Sequence, residues 1–138
     1  MDRPIPIPCA HDKVFWEAAS EDRLVVQKTA NGRWQSYPRG HALDDPMKQD
    51  AAPGFEAVAG TGIIESVSVV HRSFYPAIPA PYAFAVVRLD EGVCMTGHIV
   101  DCQPTEVRIG QAVTATFAEI SPGTKIPVFK LADMRLAK

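Results

Sequence analysis

Two spacings of apolar residues divide this chain, and each predicts a different kind of element. After Asp12, a predicted N-cap, the residues Val14, Phe15, Ala18 and Ala19 recur at the intervals of one helix face. They predict a short amphipathic helix running to about Ser20, with Trp16 partly off that face. Leu24-Val25-Val26-Gln27 and Arg33-Trp34-Gln35-Ser36-Tyr37 are apolar and aromatic runs on either side of Lys28-Thr29-Ala30-Asn31-Gly32. Asn-Gly tolerates positive φ, so this segment reads as a hairpin. From Phe55 onward the alternation is that of β structure: Val67 and Val69 on one face of 63–71, then Tyr82 to Leu89, Val93 to Val100, Val113 to Phe117, and Val128 to Leu131. Five short strands, with a long connection before the last, suit a small closed barrel. Asp90-Glu91-Gly92 is the tight hairpin between the second and third of them, and Gly110 is a turn position open to positive φ. Residues 1–10 read as a proline-punctuated extended arm, and 40–54, GHALDDPMKQDAAPG, as a loop.

Composition narrows the class. Of 138 residues, 46% are apolar, enough for one modest core with at most a small appendage. The net charge of −2 comes without any run of Lys or Arg, which argues against a nucleic-acid partner, since such binding needs a basic stripe to displace counterions. Cys9, Cys94 and Cys102 form neither a disulfide framework nor a Cys-x-x-Cys centre and fit a reducing cytoplasm. No signal-like or membrane-spanning apolar stretch is present, so the expectation is a soluble cytoplasmic protein with no membrane partner.

The order of the pieces carries a resemblance. A helix containing Phe15-Trp16-Glu17, a strand at Leu24, a turn ending in Gly32 and then Tyr37-Pro38-Arg39 are followed by Gly60-Thr61-Gly62 opening a strand to His71. Next come Pro81-Tyr82, Val87-Arg88-Leu89-Asp90-Glu91-Gly92, Val107-Arg108-Ile109-Gly110 and Pro127-Val128-Phe129. This order resembles the acyl-CoA-associated family that joins a rubredoxin-like zinc ribbon to an OB-fold (domain of unknown function thirty-five), usually encoded beside thiolases. The resemblance implies a mainly β protein: residues 1–54 form the arm, helix and ribbon, and 55–138 a five-stranded OB-fold barrel. In that family two Cys-x-x-Cys pairs grip a structural zinc, and matching on Gly32 and Tyr37-Pro38-Arg39 puts Lys28, Asn31, Ala42 and Asp45 at the four thiolate positions. Lysine is a cation and alanine offers no donor, so the ribbon is read as degenerate and no zinc or other cofactor is expected. His11 and His41 with scattered carboxylates make a weak substitute.

The catalytic inventory is thin. His11, His41, His71 and His98 are scattered, and no nucleophile elbow, phosphate-cradling loop or paired carboxylate stands out. Asp44-Asp45 and Asp90-Glu91 read as solvated loop acids, and Cys94 alternates with Met95 so that one of the two faces a core. The better candidates are rings and cations. Trp34 and Tyr37 can cover the nucleotide or pantetheine of coenzyme A, and Lys28 and Arg39 can pair with its phosphates. The competing role for both rings is a small core replacing the metal. A second group of candidate CoA contacts, His71, Phe74 and Tyr82, belongs to the barrel rim, where strand-end capping and rim packing is the competing role. The resemblance implies an accessory subunit, inactive alone, that docks on a thiolase-like protein or forms a homodimer and helps hold an acyl-CoA in lipid or steroid metabolism. The alternatives are a free-standing OB module binding single-stranded nucleic acid or another polyanion, and an independent enzyme using His71 or His98.

Overall fold

The computed structural model describes residues 5–44, 47 and 53–132; Asp45, part of the 40–54 loop and both chain ends lie outside the described residues. The protein is mainly β, with one α-helix and eight strands among the described residues. Helix α1 (Lys13–Ser20) buries Phe15, Ala18 and Ala19, which are the i, i+3 and i+4 positions of one face. Val14, expected on that face, is exposed, because a helix this short presents only one narrow stripe. Asp12 occupies the N-cap position without capping the helix. Its carboxylate turns back to accept the Cys9 N–H at 2.6 Å. At the other end Asp22 takes a φ of 61° and Arg23 N–H donates to Ala18 O at 2.9 Å, the paired closure usually made with glycine. Lys125 Nζ lies 2.8 Å from the Asp22 carboxylate and ties this turn to the barrel.

A three-stranded antiparallel sheet follows, ordered β2-β1-β3, from β1 (Val25–Lys28), β2 (Trp34–Gln35) and β3 (Gly54–Ala57). The expected hairpin is present, with Gly32 at φ 81° as the residue that turns the chain. β3 lies in the boundary region of the sequence reading, yet it pairs with β1 (Val25 opposite Ala57, Lys28 opposite Gly54), so it belongs to the ribbon sheet and not to the barrel.

The barrel closes in the order β4-β5-β6-β8-β7, from β4 (Thr61–Val70), β5 (Tyr82–Leu89), β6 (Cys94–Val100), β7 (Ala112–Ser121) and β8 (Thr124–Leu131). A bulge at Glu65 switches which residues of β4 face inward, from Gly62 and Ile64 before it to Val67 and Val69 after it. Gly62 has no alternative residue: a Cβ there would lie 2.4 Å from Arg88 O. The last two strands correct the sequence reading. β7 and β8 run far longer than expected and are joined by Pro122-Gly123 alone, with Gly123 at φ 80°. The long connections precede β5 and β7 instead. Half-burial along β7 blurs the alternation that marks a strand in sequence, which is why its length was missed. One hydrophobic cluster runs from Ile64, Leu89, Met95 and Phe129 in the barrel to Phe15 and Val26, so α1 and the ribbon are packed onto the barrel as one body of side chains.

Candidate functional site

Two glutamines organise the ribbon. Gln27 and Gln35 face each other in the β1–β2 register and are buried, Gln27 completely. Gln27 Nε2 donates to Arg39 O and its Oε1 accepts Arg39 N–H, both at 2.8 Å, so the side-chain amide pairs with the backbone as a neighbouring strand would. Gln35 Nε2 donates to Gln27 Oε1 at 3.1 Å and to His41 O at 3.3 Å, while Gln35 Oε1 accepts Leu43 N–H at 2.7 Å. Alongside, Thr29 Oγ1 and Asn31 Nδ2 donate to Asp44 Oδ2 at 2.8 and 3.4 Å. The loop carrying residues 39–44 is therefore held to the hairpin by amides and a carboxylate.

Three of the four positions that the resemblance assigns to zinc ligands, Lys28, Asn31 and Ala42, offer no thiolate or imidazole. Lys28 Nζ lies 4.8 Å over the Trp34 ring and 4.0 Å from Glu56, Asn31 turns its amide N–H group to Asp44, and Ala42 has no donor atom. Asp45 lies outside the described residues. Sequence reasoning missed Gln27 and Gln35. The available signal was two amides at matching places on the two arms of a hairpin otherwise made of apolar and aromatic residues.

Three of the four predicted hairpin residues meet in one groove of about 530 Å³ between ribbon and barrel. Arg33, Trp34, Tyr37 and Arg39 form one wall, and Val93 and Cys94 of the β5–β6 hairpin form the other. Lys28 is not in this lining; it covers the Trp34 ring from another side. Tyr37 has a structural part: its hydroxyl donates to Thr96 O at 2.5 Å and its ring meets Phe15 edge-on at 5.8 Å, bolting ribbon to barrel and helix. Burial raises its pKa above the usual 10. Arg33 and Arg39 have no carboxylate in ion-pair range among the described residues.

Cys94 is exposed, and Met95 is its buried neighbour. Desolvation, with the carboxylate of Glu65 3.5 Å away, raises the Cys94 pKa, so the thiol stays protonated and is a poor nucleophile. Glu65 is itself held by Arg88 at 2.5 Å. Asp90 and Glu91 are anchors as well: Asp90 accepts the Thr61 hydroxyl and Glu91 Oε2 accepts Ala59 N–H at 3.0 Å.

The rim residues divide. Phe74 and Tyr82 share a hollow of about 630 Å³ with Tyr75 and Ile78, whereas His71 does not line it. Phe74 is 79% exposed, an unusual state for a phenylalanine. Outside the hollow, Tyr82 stacks on His98 at 4.8 Å and Phe84 meets the same imidazole edge-on at 5.6 Å. His98 is thereby packed among rings. No helix among the described residues is long and apolar enough to cross a membrane.

Residues 55–118 match the family model described as ChsH2, C-terminal OB-fold domain. The chain is 34% identical over 124 residues to a "Probable enoyl-CoA hydratase alpha subunit" of Thermomonospora curvata, covering 88% of this chain and 38% of that protein. It is 42% identical over 66 residues to a "DUF35 domain-containing scaffold protein" of Methanocaldococcus jannaschii, covering 46% of this chain and 45% of that one. The chain thus spans less than half the length of these curated relatives. Among solved structures it is similar to "Ltp2-ChsH2(DUF35) aldolase", with a TM-score of 0.78 and 29% identity over 93% of this chain and 99% of that chain.

Proposed function

The chain belongs to the DUF35 OB-fold family, and on that footing we propose that it is an accessory subunit of an acyl-CoA-processing complex. It docks on a thiolase-like enzyme that performs the carbon–carbon bond chemistry and helps hold the acyl-CoA presented to that enzyme. The observation that carries this reading is the groove: Arg33 and Arg39, with no carboxylate in ion-pair range among the described residues, stand beside Trp34, with a hairpin opposite whose thiol, Cys94, has a raised pKa. Such a wall suits a polyphosphate with an aromatic base and does no chemistry of its own. The subunit and aldolase names of the similar proteins support an enzyme partner. Hydratase activity is not carried over, because the matched segment is a minority of that relative.

Within the groove the phosphates belong with Arg39 and Arg33. Lys28, spent on Trp34 and Glu56, is secondary. The Phe74–Tyr82 hollow, rich in exposed rings, is the face for the enzyme partner. The test is co-expression with a thiolase-like acyl-CoA enzyme from the same genome, followed by size exclusion and acyl-CoA binding. Co-elution, with binding that falls for Arg39→Ala, supports the proposal. A chain that stays monomeric beside the enzyme at micromolar concentration and binds no acyl-CoA refutes it.

A further inference from the structure

Immediately before α1, away from the four ribbon positions, three potential metal ligands of different chemistry converge. Cys9 Sγ, a His11 ring nitrogen and an Asp12 carboxylate oxygen all lie within 4.8 Å of one another, the one such group of three among the described residues. Cys9 Sγ is 3.4 Å from His11 Nδ1 and 3.5 Å from Nε2. A sulfur and a nitrogen bound tetrahedrally to zinc, at about 2.3 and 2.0 Å, lie roughly 3.5 Å apart. The separation matches, and because the sulfur is nearly equidistant from both ring nitrogens, a turn of the exposed imidazole is what brings one lone pair onto a shared ion.

The backbone fixes this arrangement. Asp12 N–H and Lys13 N–H both donate to Cys9 O, at 3.2 and 3.0 Å, and Cys9 N–H donates to Asp12 Oδ1, so residues 9–13 form a closed turn. With Oδ1 engaged, Oδ2 is the oxygen offered to an ion. This explains why Asp12, placed to cap the helix, does not do so. The His11 ring also rests against Gly40, where an added Cβ would be 3.8 Å from Nδ1, so the cluster adjoins the loop held by Gln27.

We propose that Cys9, His11 and Asp12 form a divalent transition-metal site with a fourth position open to water. The mixed sulfur, nitrogen and oxygen set selects Zn²⁺ or Co²⁺ over Mg²⁺ and Ca²⁺, which take oxygen ligands. Binding converts the Cys9 thiol to thiolate and releases its proton to solvent; with the Asp12 carboxylate and a neutral imidazole, the ligand charge of −2 balances the ion. Cys9 and His11 are exposed, so the ion enters without any movement of the fold. The expectation of a metal-free chain is thereby narrowed to the ribbon.

The experiment uses the full chain, stripped with chelator and titrated with Co²⁺. One equivalent should give a thiolate-to-cobalt charge-transfer band that Zn²⁺ removes. Cys9→Ser should abolish the band, His11→Ala should weaken Co²⁺ binding at least tenfold, and the Cys94→Ser/Cys102→Ser double variant should leave both readouts unchanged. Circular dichroism of each variant reports that the fold is intact. Absence of the band in folded wild type, its persistence in Cys9→Ser, or equal affinity in His11→Ala overturns the site.

Discussion

Gln27→Ala tests the idea that amides hold the ribbon together. Gln27 is fully buried and makes three hydrogen bonds, two to the backbone of Arg39 and one to Gln35 Nε2. Each such bond contributes about 1 kcal/mol net, and partners left buried and unpaired add to the loss. The variant should be destabilised by about 3 kcal/mol, and by somewhat more if the vacated space stays empty. In urea the midpoint should fall at unchanged m, and the thermal midpoint should drop by about 10 °C. Hydrogen exchange adds a local readout: the Arg39 and Leu43 amides, bonded to Gln27 and Gln35, should lose protection before the barrel strands do. Gln103→Ala, at an exposed position, is the control and should stay within about 0.5 kcal/mol of wild type. If Gln27→Ala matches that control, or if Arg39 keeps its protection, the glutamine pair is not what closes the ribbon.

Other outcomes follow from single contacts. Arg39→Ala should weaken acyl-CoA binding by the complex by about 1.5–3 kcal/mol, the range for a charge-assisted hydrogen bond, at unchanged thermal midpoint; lost stability with unchanged affinity would make the hairpin structural only. Tyr37→Phe removes the bond to Thr96 O and should cost about 1 kcal/mol at neutral pH, read by urea unfolding. Because burial raises the folded pKa of Tyr37, its contribution is fully present below pH 10 and lost as pH rises through the folded value. Wild type should therefore lose stability above pH 10 more steeply than Tyr37→Phe, and parallel profiles would refute this. Gly62→Ala drives a Cβ to within 2.4 Å of Arg88 O and should cost at least about 3 kcal/mol or abolish soluble expression. Phe74→Asp, at a 79% exposed position, should leave stability within about 0.5 kcal/mol and abolish co-elution with the enzyme partner.

Local chemistry determined much of this protein from the sequence alone. The helix at Phe15, Ala18 and Ala19 follows from apolar spacing, the turn at Gly32 from the freedom of glycine, and the strands at Tyr82–Leu89 and Cys94–Val100 from clean alternation between a buried and a solvated face. The order of these pieces was enough to indicate the family. Where the pattern weakened, tertiary structure decided. β7 and β8 twist through half-buried surroundings that no period marks, and β3 joins the ribbon sheet because its partner is β1, some thirty residues earlier. The candidate site divides in the same way. Residue types nominated Trp34, Tyr37 and Arg39, and only packing showed that Tyr37 spends its hydroxyl on Thr96 while Lys28 covers Trp34 outside the groove. Packing also showed that Gln27 and Gln35 hold a loop drawn from outside their own strands. A sequence lists donors and acceptors, but their pairing across the fold depends on which backbone groups burial leaves without water.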